Sequence, residues 1–157
     1  MSGAASTGER GVTLAAARPI ADGLFVEVGG EVRLLGSECG RCGVVTFPRQ
    51  ASCRRCTSTA VSDRLLARRG TLWTWTIQAF PPKSPPYAVA DPEAFEPYGV
   101  GYVELPNEVR VEARLTVADP DKLRTGMAME LTLIPAPGAE PDVVTYAFRP
   151  VEEEEAQ

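Results

Sequence analysis

The chain has 157 residues, 44% of them apolar, no histidine and a formal net charge of −5. That length suits one domain, or one domain carrying a small appended module. No apolar run reaches the roughly 18 residues of a membrane helix, an acidic chain is a poor match for a phosphate backbone, and the missing imidazole removes the commonest general base.

Residues 1–18 are rich in Ala, Ser and Gly without periodicity, and they read as a disordered tail. Their small polar start lacks the charged and apolar regions of a secretory signal. Leu24 to Val28 and Val32 to Leu35 flank Gly29-Gly30, which predicts a hairpin within residues 19–35. All four cysteines follow, as Cys39-Gly-Arg-Cys42 and Cys53-Arg-Arg-Cys56. Each pair sets two thiolates on one side of a tight turn. Two such turns face four sulfurs onto one structural Zn²⁺ ion per chain, with no open position for water or substrate. Two disulfides are the alternative, but cysteines only two residues apart suit disulfide geometry badly. A reduced set of cysteines points to the cytoplasm. The ribbon is assigned to residues 36–60, with Phe47 as the one large apolar residue to anchor its small core.

From residue 61 to 150 the pattern is β. Val61 to Arg68 and Thr71 to Ala79 are read as strands separated by a turn at Arg69-Gly70, with Trp73 and Trp75 on one face. Gly99 to Leu105 is a further strand. Residues 109–117 alternate without a fault, odd positions apolar, so the odd side faces a core. Asp119 as N-cap, Pro120 as first helical residue and Gly126 as stop predict a two-turn helix. Met127 to Leu133 and Val143 to Phe148 complete the order β-β-β-α-β-β, which is the topology of the OB barrel. The expected fold is therefore mostly β: an N-terminal hairpin and rubredoxin-like zinc ribbon, then a five-stranded OB barrel with one short helix. Residues 151–157 read as a frayed acidic tail.

Two features lie outside that scheme. Residues 39–70 hold seven arginines and one acid, leaving an excess of acid elsewhere. A zinc–tetrathiolate centre carries a charge of about −2, so some of these arginines serve only to offset it, or else Arg41, Arg49, Arg54 and Arg55 form a surface for an anionic ligand or acidic partner. The second feature is the segment from Phe80 to Tyr98, with six prolines and the aromatics Phe80, Tyr87, Phe95 and Tyr98. A loop of this length either docks a partner through these aromatics or covers an open barrel end. Catalytic motifs are missing: no nucleophile elbow, no phosphate-cradling glycine loop, no carboxylate pair placed by a motif. The chain is therefore expected not to be an enzyme by itself.

Leu35-Gly-Ser-Glu-Cys-Gly-Arg-Cys-Gly43, Phe47-Pro-Arg49, Cys53-Arg-Arg-Cys56, Arg69-Gly-Thr-Leu-Trp-Thr-Trp-Thr76, Pro97-Tyr-Gly-Val-Gly-Tyr-Val-Glu-Leu105, Gly126-Met-Ala-Met-Glu130 and Thr145-Tyr-Ala-Phe-Arg-Pro150 together resemble the acyl-CoA-associated zinc-ribbon/OB-fold family. Two departures stand out: no proline flanks Cys53, and Pro106-Asn-Glu-Val109 replaces a Glu-Gly turn. The resemblance implies a non-catalytic accessory subunit. Its partner would be a thiolase-superfamily enzyme, a lipid-transfer-protein-like aldolase or a hydratase, in a hetero-oligomer that acts on acyl-CoA thioesters in steroid side-chain or related lipid breakdown. Acyl-CoA phosphates are then expected near the ribbon arginines, and no nucleic acid or membrane is involved. The alternatives are a nucleic-acid-binding ribbon/OB module, with Trp73 and Trp75 as a stacking platform, and a free-standing enzyme on CoA thioesters.

Overall fold

In the computed structural model, residues 17–81, 92–137 and 139–152 are described. The expected disorder of residues 1–16 and the acidic run after Glu152 lie outside them. Arg18, assigned to the tail by sequence, is strand. It opens β1 (Arg18–Pro19), which lies parallel to the last strand of the molecule.

Ribbon and hairpin share one four-stranded sheet. Strands β2 (Phe25–Val28) and β3 (Glu31–Cys39) are joined through Gly29 and Gly30, whose φ values of 59° and 83° form the left-handed corner that favours glycine. The C-terminal half of β3 pairs with β4 (Val45–Thr46) and with β5 (Val61–Leu65). Sequence placed Val61–Leu65 on the barrel side of the boundary. It belongs to the ribbon sheet instead, because its partners are Leu35 to Cys39.

The barrel comprises β6 (Arg69–Gln78), β7 (Tyr98–Glu104), β8 (Arg110–Leu115), β9 (Ala128–Pro135) and β10 (Val143–Pro150). Hydrogen bonds run β10-β8-β7-β6-β9, and β9 pairs back onto β10, closing the ring. Only the β8–β10 contact within that ring is parallel. This is the five-stranded OB barrel predicted. The alternation in β8 holds: Val111, Ala113 and Leu115 are buried and Arg110 and Glu112 are exposed.

Three local readings are corrected. Arg69 and Gly70 do not turn; they pair with Glu130 and Met129 as the first residues of β6, and the chain breaks at Leu66 to Arg68. The break falls there because Leu66 is wholly buried beneath the barrel. Trp73 and Trp75 do not share a face. A bulge between Leu72 and Thr74 advances the register by one, so Trp75 packs on the core while Trp73 stays 46% exposed. The short helix is a single 3₁₀ turn, Pro120–Lys122, capped by Asp119 accepting from the Asp121 amide at 2.9 Å. Leu123 leaves it in extended conformation and is buried, which ends the helix after one turn.

Ribbon and barrel share a continuous core, since Phe25, Leu34, Val45 and Leu66 cluster with Leu72, Val103, Met129, Leu131 and Phe148. Phe47 does not anchor a separate ribbon core. It is half-buried and meets Tyr146 of β10 edge-on, ring centroids 5.4 Å apart. Two carboxylates brace the junction. Glu108, 5% exposed, accepts from Arg64 Nε at 3.0 Å and from the Ala67 amide at 2.8 Å. Glu130 lies among Arg68, Arg69 and Arg149.

Strand β1 is fastened by exposed charges. Arg18 donates Nε to Asp142 Oδ2 and Nη2 to Glu140 Oε2, both at 2.6 Å. The hydrogen bond from Arg18 holds the Asp142 carboxyl below its usual 3.8. A carboxyl depressed in the folded state stabilises above its unfolded value and loses that contribution as pH falls through the folded one. Acidification below about pH 4 is therefore expected to undock β1 first. Early loss of exchange protection at the Arg18 and Ile20 amides, which bond to Asp142 and Val144, would show it; simultaneous loss across the barrel would refute it.

Candidate metal centre and docking surfaces

The end of β3 delivers Cys39, and the chain then turns back on itself. The Gly43 amide bonds the Cys39 carbonyl at 2.9 Å, and fourteen residues on the Thr57 amide repeats this at the Cys53 carbonyl, also 2.9 Å. Gly43 and Thr57 both have positive φ, 77° and 62°. The two knuckles are thus built alike. In each, two backbone amides aim at the leading sulfur: Arg41 and Cys42 at Cys39 Sγ, Arg55 and Cys56 at Cys53 Sγ, all at 3.4–3.5 Å.

The four sulfurs of Cys39, Cys42, Cys53 and Cys56 lie within 4.8 Å of one another. Cys39–Cys56 and Cys42–Cys53 are 3.6 and 3.5 Å apart. A tetrahedral site with zinc–sulfur bonds of about 2.3 Å spaces its sulfurs about 3.8 Å apart. The donor set and its spacing fit one structural zinc ion and leave it no open position. Before any metal binds, amide donation from Cys42 and Arg41 lowers the Cys39 thiol to about 6, and donation chiefly from Cys56 lowers Cys53. The Ser58 amide pulls Cys56 down, yet burial and the neighbouring sulfurs push it up to about 12. A divalent cation removes that repulsion, so metal uptake displaces protons.

The arginines around this centre divide into two groups. Arg49 is committed to Asp63 at 3.2 Å, and Arg64 to Glu38 and Glu108. Arg41, Arg54 and Arg55 sit on the knuckles, exposed, and none has a carboxylate partner among the described residues. Of the four arginines predicted to face a ligand or partner, three are thus free to do so and Arg49 is not.

The aromatic segment is only partly brought together. Tyr87 lies outside the described residues. Phe80 is 77% exposed, while Phe95 meets Tyr98 at 6.0 Å and Arg114 covers the Tyr98 ring at 3.5 Å. Sequence reasoning missed a second outer cluster. Trp73 packs against Tyr102 at 6.2 Å and under Arg110 at 3.8 Å, with Tyr102 bonded to Glu112 and Arg110 to Glu104. Only the bulge exposes Trp73, and nothing in the local pattern announces it.

Residues 27–62 match the family described as "ChsH2, rubredoxin-like zinc ribbon domain", and residues 63–133 match "ChsH2, C-terminal OB-fold domain". The chain belongs to this zinc-ribbon/OB-fold family. A "DUF35 domain-containing scaffold protein" of Pyrococcus furiosus is 29% identical over 122 residues, 76% of this chain and 84% of the relative. Its counterpart in Methanocaldococcus jannaschii is 28% identical over 76% of this chain and 82% of its own. "Benzoylsuccinyl-CoA thiolase subunit BbsA" of Thauera aromatica is 29% identical over 64% of this chain and 62% of that protein. Among solved structures, the "Ltp2-ChsH2(DUF35) aldolase" superposes with a TM-score of 0.56 at 29% identity, covering 75% of this chain and 84% of that one.

Proposed function

We propose that this chain is a non-catalytic accessory subunit that binds and supports a thiolase-superfamily enzyme acting on acyl-CoA thioesters, in steroid side-chain or related lipid degradation. The observation that carries the reading is the pairing of a closed four-sulfur centre with three knuckle arginines that have no carboxylate partner among the described residues, in a family whose relatives are named scaffold, thiolase subunit and aldolase component. A saturated zinc ion shapes a lobe and does no chemistry on substrate. Guanidinium groups left free on that lobe suit carboxylates of a partner or phosphates of a CoA thioester, which they bind bidentately. The reduced thiols suit the cytoplasm.

Two experiments test this. Affinity purification from the native host, with mass spectrometry of the eluate, is expected to recover a thiolase-fold or hydratase protein in stoichiometric amount. Charge reversal of Arg54 and Arg55 to Glu is expected to weaken that complex about tenfold or more, mainly through association rate, or to raise the KM for the CoA thioester. If complex and KM are both unchanged, the ribbon tip is not the contact.

The runner-up, a single-strand nucleic-acid binder, has the exposed Trp73 and Tyr102 in its favour, since bases stack on such rings. Glu104 and Glu112 beside them repel phosphate. Binding of a single-stranded oligonucleotide at low salt would revive that reading.

A further inference from the structure

Where the hairpin leaves the ribbon and meets the barrel, an open groove of about 510 Å³ is lined by Glu31, Arg33, Ala67, Arg68, Arg69 and Glu130. It lies at a junction of two lobes, a common place for ligand sites. Its charge is unbalanced. Three guanidiniums (Arg33, Arg68, Arg69) and two carboxylates (Glu31, Glu130) line it, for an excess of +1, and Arg149, outside the lining, draws on Glu130 at 3.3 Å.

The pairing is also loose. Arg68 Nη1 stands 3.6 Å from Glu130 and 3.8 Å from Glu31, and Arg69 Nε stands 3.7 Å from Glu130. Charge-assisted hydrogen bonds run at about 2.7–2.9 Å, so these contacts are ion pairs without direct hydrogen bonds. Meanwhile Arg33 and Arg68 are held in place through their Nε atoms. Arg33 Nε is spent on the Leu66 carbonyl at 2.7 Å and Arg68 Nε on the Val32 carbonyl at 3.1 Å. The Nη atoms of Arg33 have no partner among the described residues. Arg69 is 68% exposed and, among the described residues, makes only the long contact to Glu130. Arg68 is held further by Nη2, which donates to the Leu131 carbonyl at 3.4 Å, so it is a fixed positive floor, whereas the fork of Arg33, anchored by its Nε, is left free and preorganised for a tetrahedral oxyanion.

We propose that this groove is an anion site that takes a phosphate group, Arg33 and Arg69 closing on its oxygens while Arg68 fixes the floor. The site is separate from the knuckle arginines, and it stands whether or not the chain supports a thiolase.

The test follows arginine Nε–H signals by NMR as the full chain is titrated with inorganic phosphate, diphosphate and adenosine 3′,5′-bisphosphate. Shifts are expected at Arg33, Arg68 and Arg69. Arg69→Ala is expected to weaken binding about fivefold or more, and Glu31→Gln, which removes an exposed competing carboxylate, to tighten it about twofold or more. A merely structural junction predicts no gain from Glu31→Gln. Tighter binding of the adenosine compound than of phosphate assigns an organic phosphate as ligand; equal binding assigns the free anion. The proposal is overturned by absence of shifts in the groove, by shifts confined to Arg41, Arg54 and Arg55, or by unaltered affinity in both variants.

Discussion

Chelation of the metal, or Cys53→Ser, is expected to melt residues 40–60 while leaving the barrel standing. Within that stretch Val45 and Cys53 are the buried apolar residues, and four of its backbone amides converge on two sulfurs. A lobe so small has no core of its own to oppose chain entropy. The metal supplies that energy, on the order of 10–16 kcal/mol in small zinc-finger peptides near neutral pH. The hairpin is held more firmly, because Phe25 and Leu34 both lie in the barrel core and β2 pairs with β3 along its whole length, whereas the lobe gives that core only Val45, with half-buried Phe47 beside it. The loss should therefore be local. Trypsin gives a direct reading: Arg41, Arg54 and Arg55 lie on the knuckles, and cleavage there is expected only after chelation. Binding of the partner should fall with the lobe. Dispersed amide signals and trypsin resistance for residues 40–60 in the zinc-free protein would sink the argument.

Glu108→Ala is expected to cost about 3 kcal/mol and lower the Tm by about 6–12 °C. The carboxylate is nearly buried and serves both Arg64 and the Ala67 amide, so its removal strands a guanidinium and a backbone donor at the ribbon–barrel junction. Arg64 remains a third exposed and keeps Glu38, which holds the cost to the lower end of the range for broken buried pairs. Glu108→Gln retains an acceptor for the Ala67 amide and should lose roughly 1–2 kcal/mol. Urea denaturation of the zinc-loaded protein measures both. An alanine variant within about 0.5 kcal/mol of the parent would show that packing alone joins the lobes.

The metal centre was legible from sequence because its determinants are local. The pairs Cys39/Cys42 and Cys53/Cys56 each fix a turn, and turn geometry sets where two sulfurs go before any tertiary contact forms. The β8 alternation and the Gly29-Gly30 corner were legible for the same reason: one residue's neighbours and the pleat decide its face. The order of strands then sufficed for the OB topology. Arg69-Gly70 was misread because a glycine beside a charged residue resembles a turn, whereas the pairing of both residues with Met129 and Glu130 belongs to a strand sixty positions away. The 3₁₀ turn was misread because caps at Asp119 and Gly126 say where a helix can start and stop, not that Leu123 must leave it to be buried.

Sequence by itself determined that this protein folds around one tetrathiolate centre followed by a β-barrel, since spacing and alternation are short-range properties of the chain. Only the tertiary structure decided which arginines remain free. Arg49, Arg64 and Arg68 look the same in the sequence as Arg41, Arg54 and Arg55, but the first three meet Asp63, Glu108 and Glu130 across the fold. Charge neutralisation depends on distance in space, and contacts such as Arg64 with Glu108 are closed only when ribbon and barrel pack together.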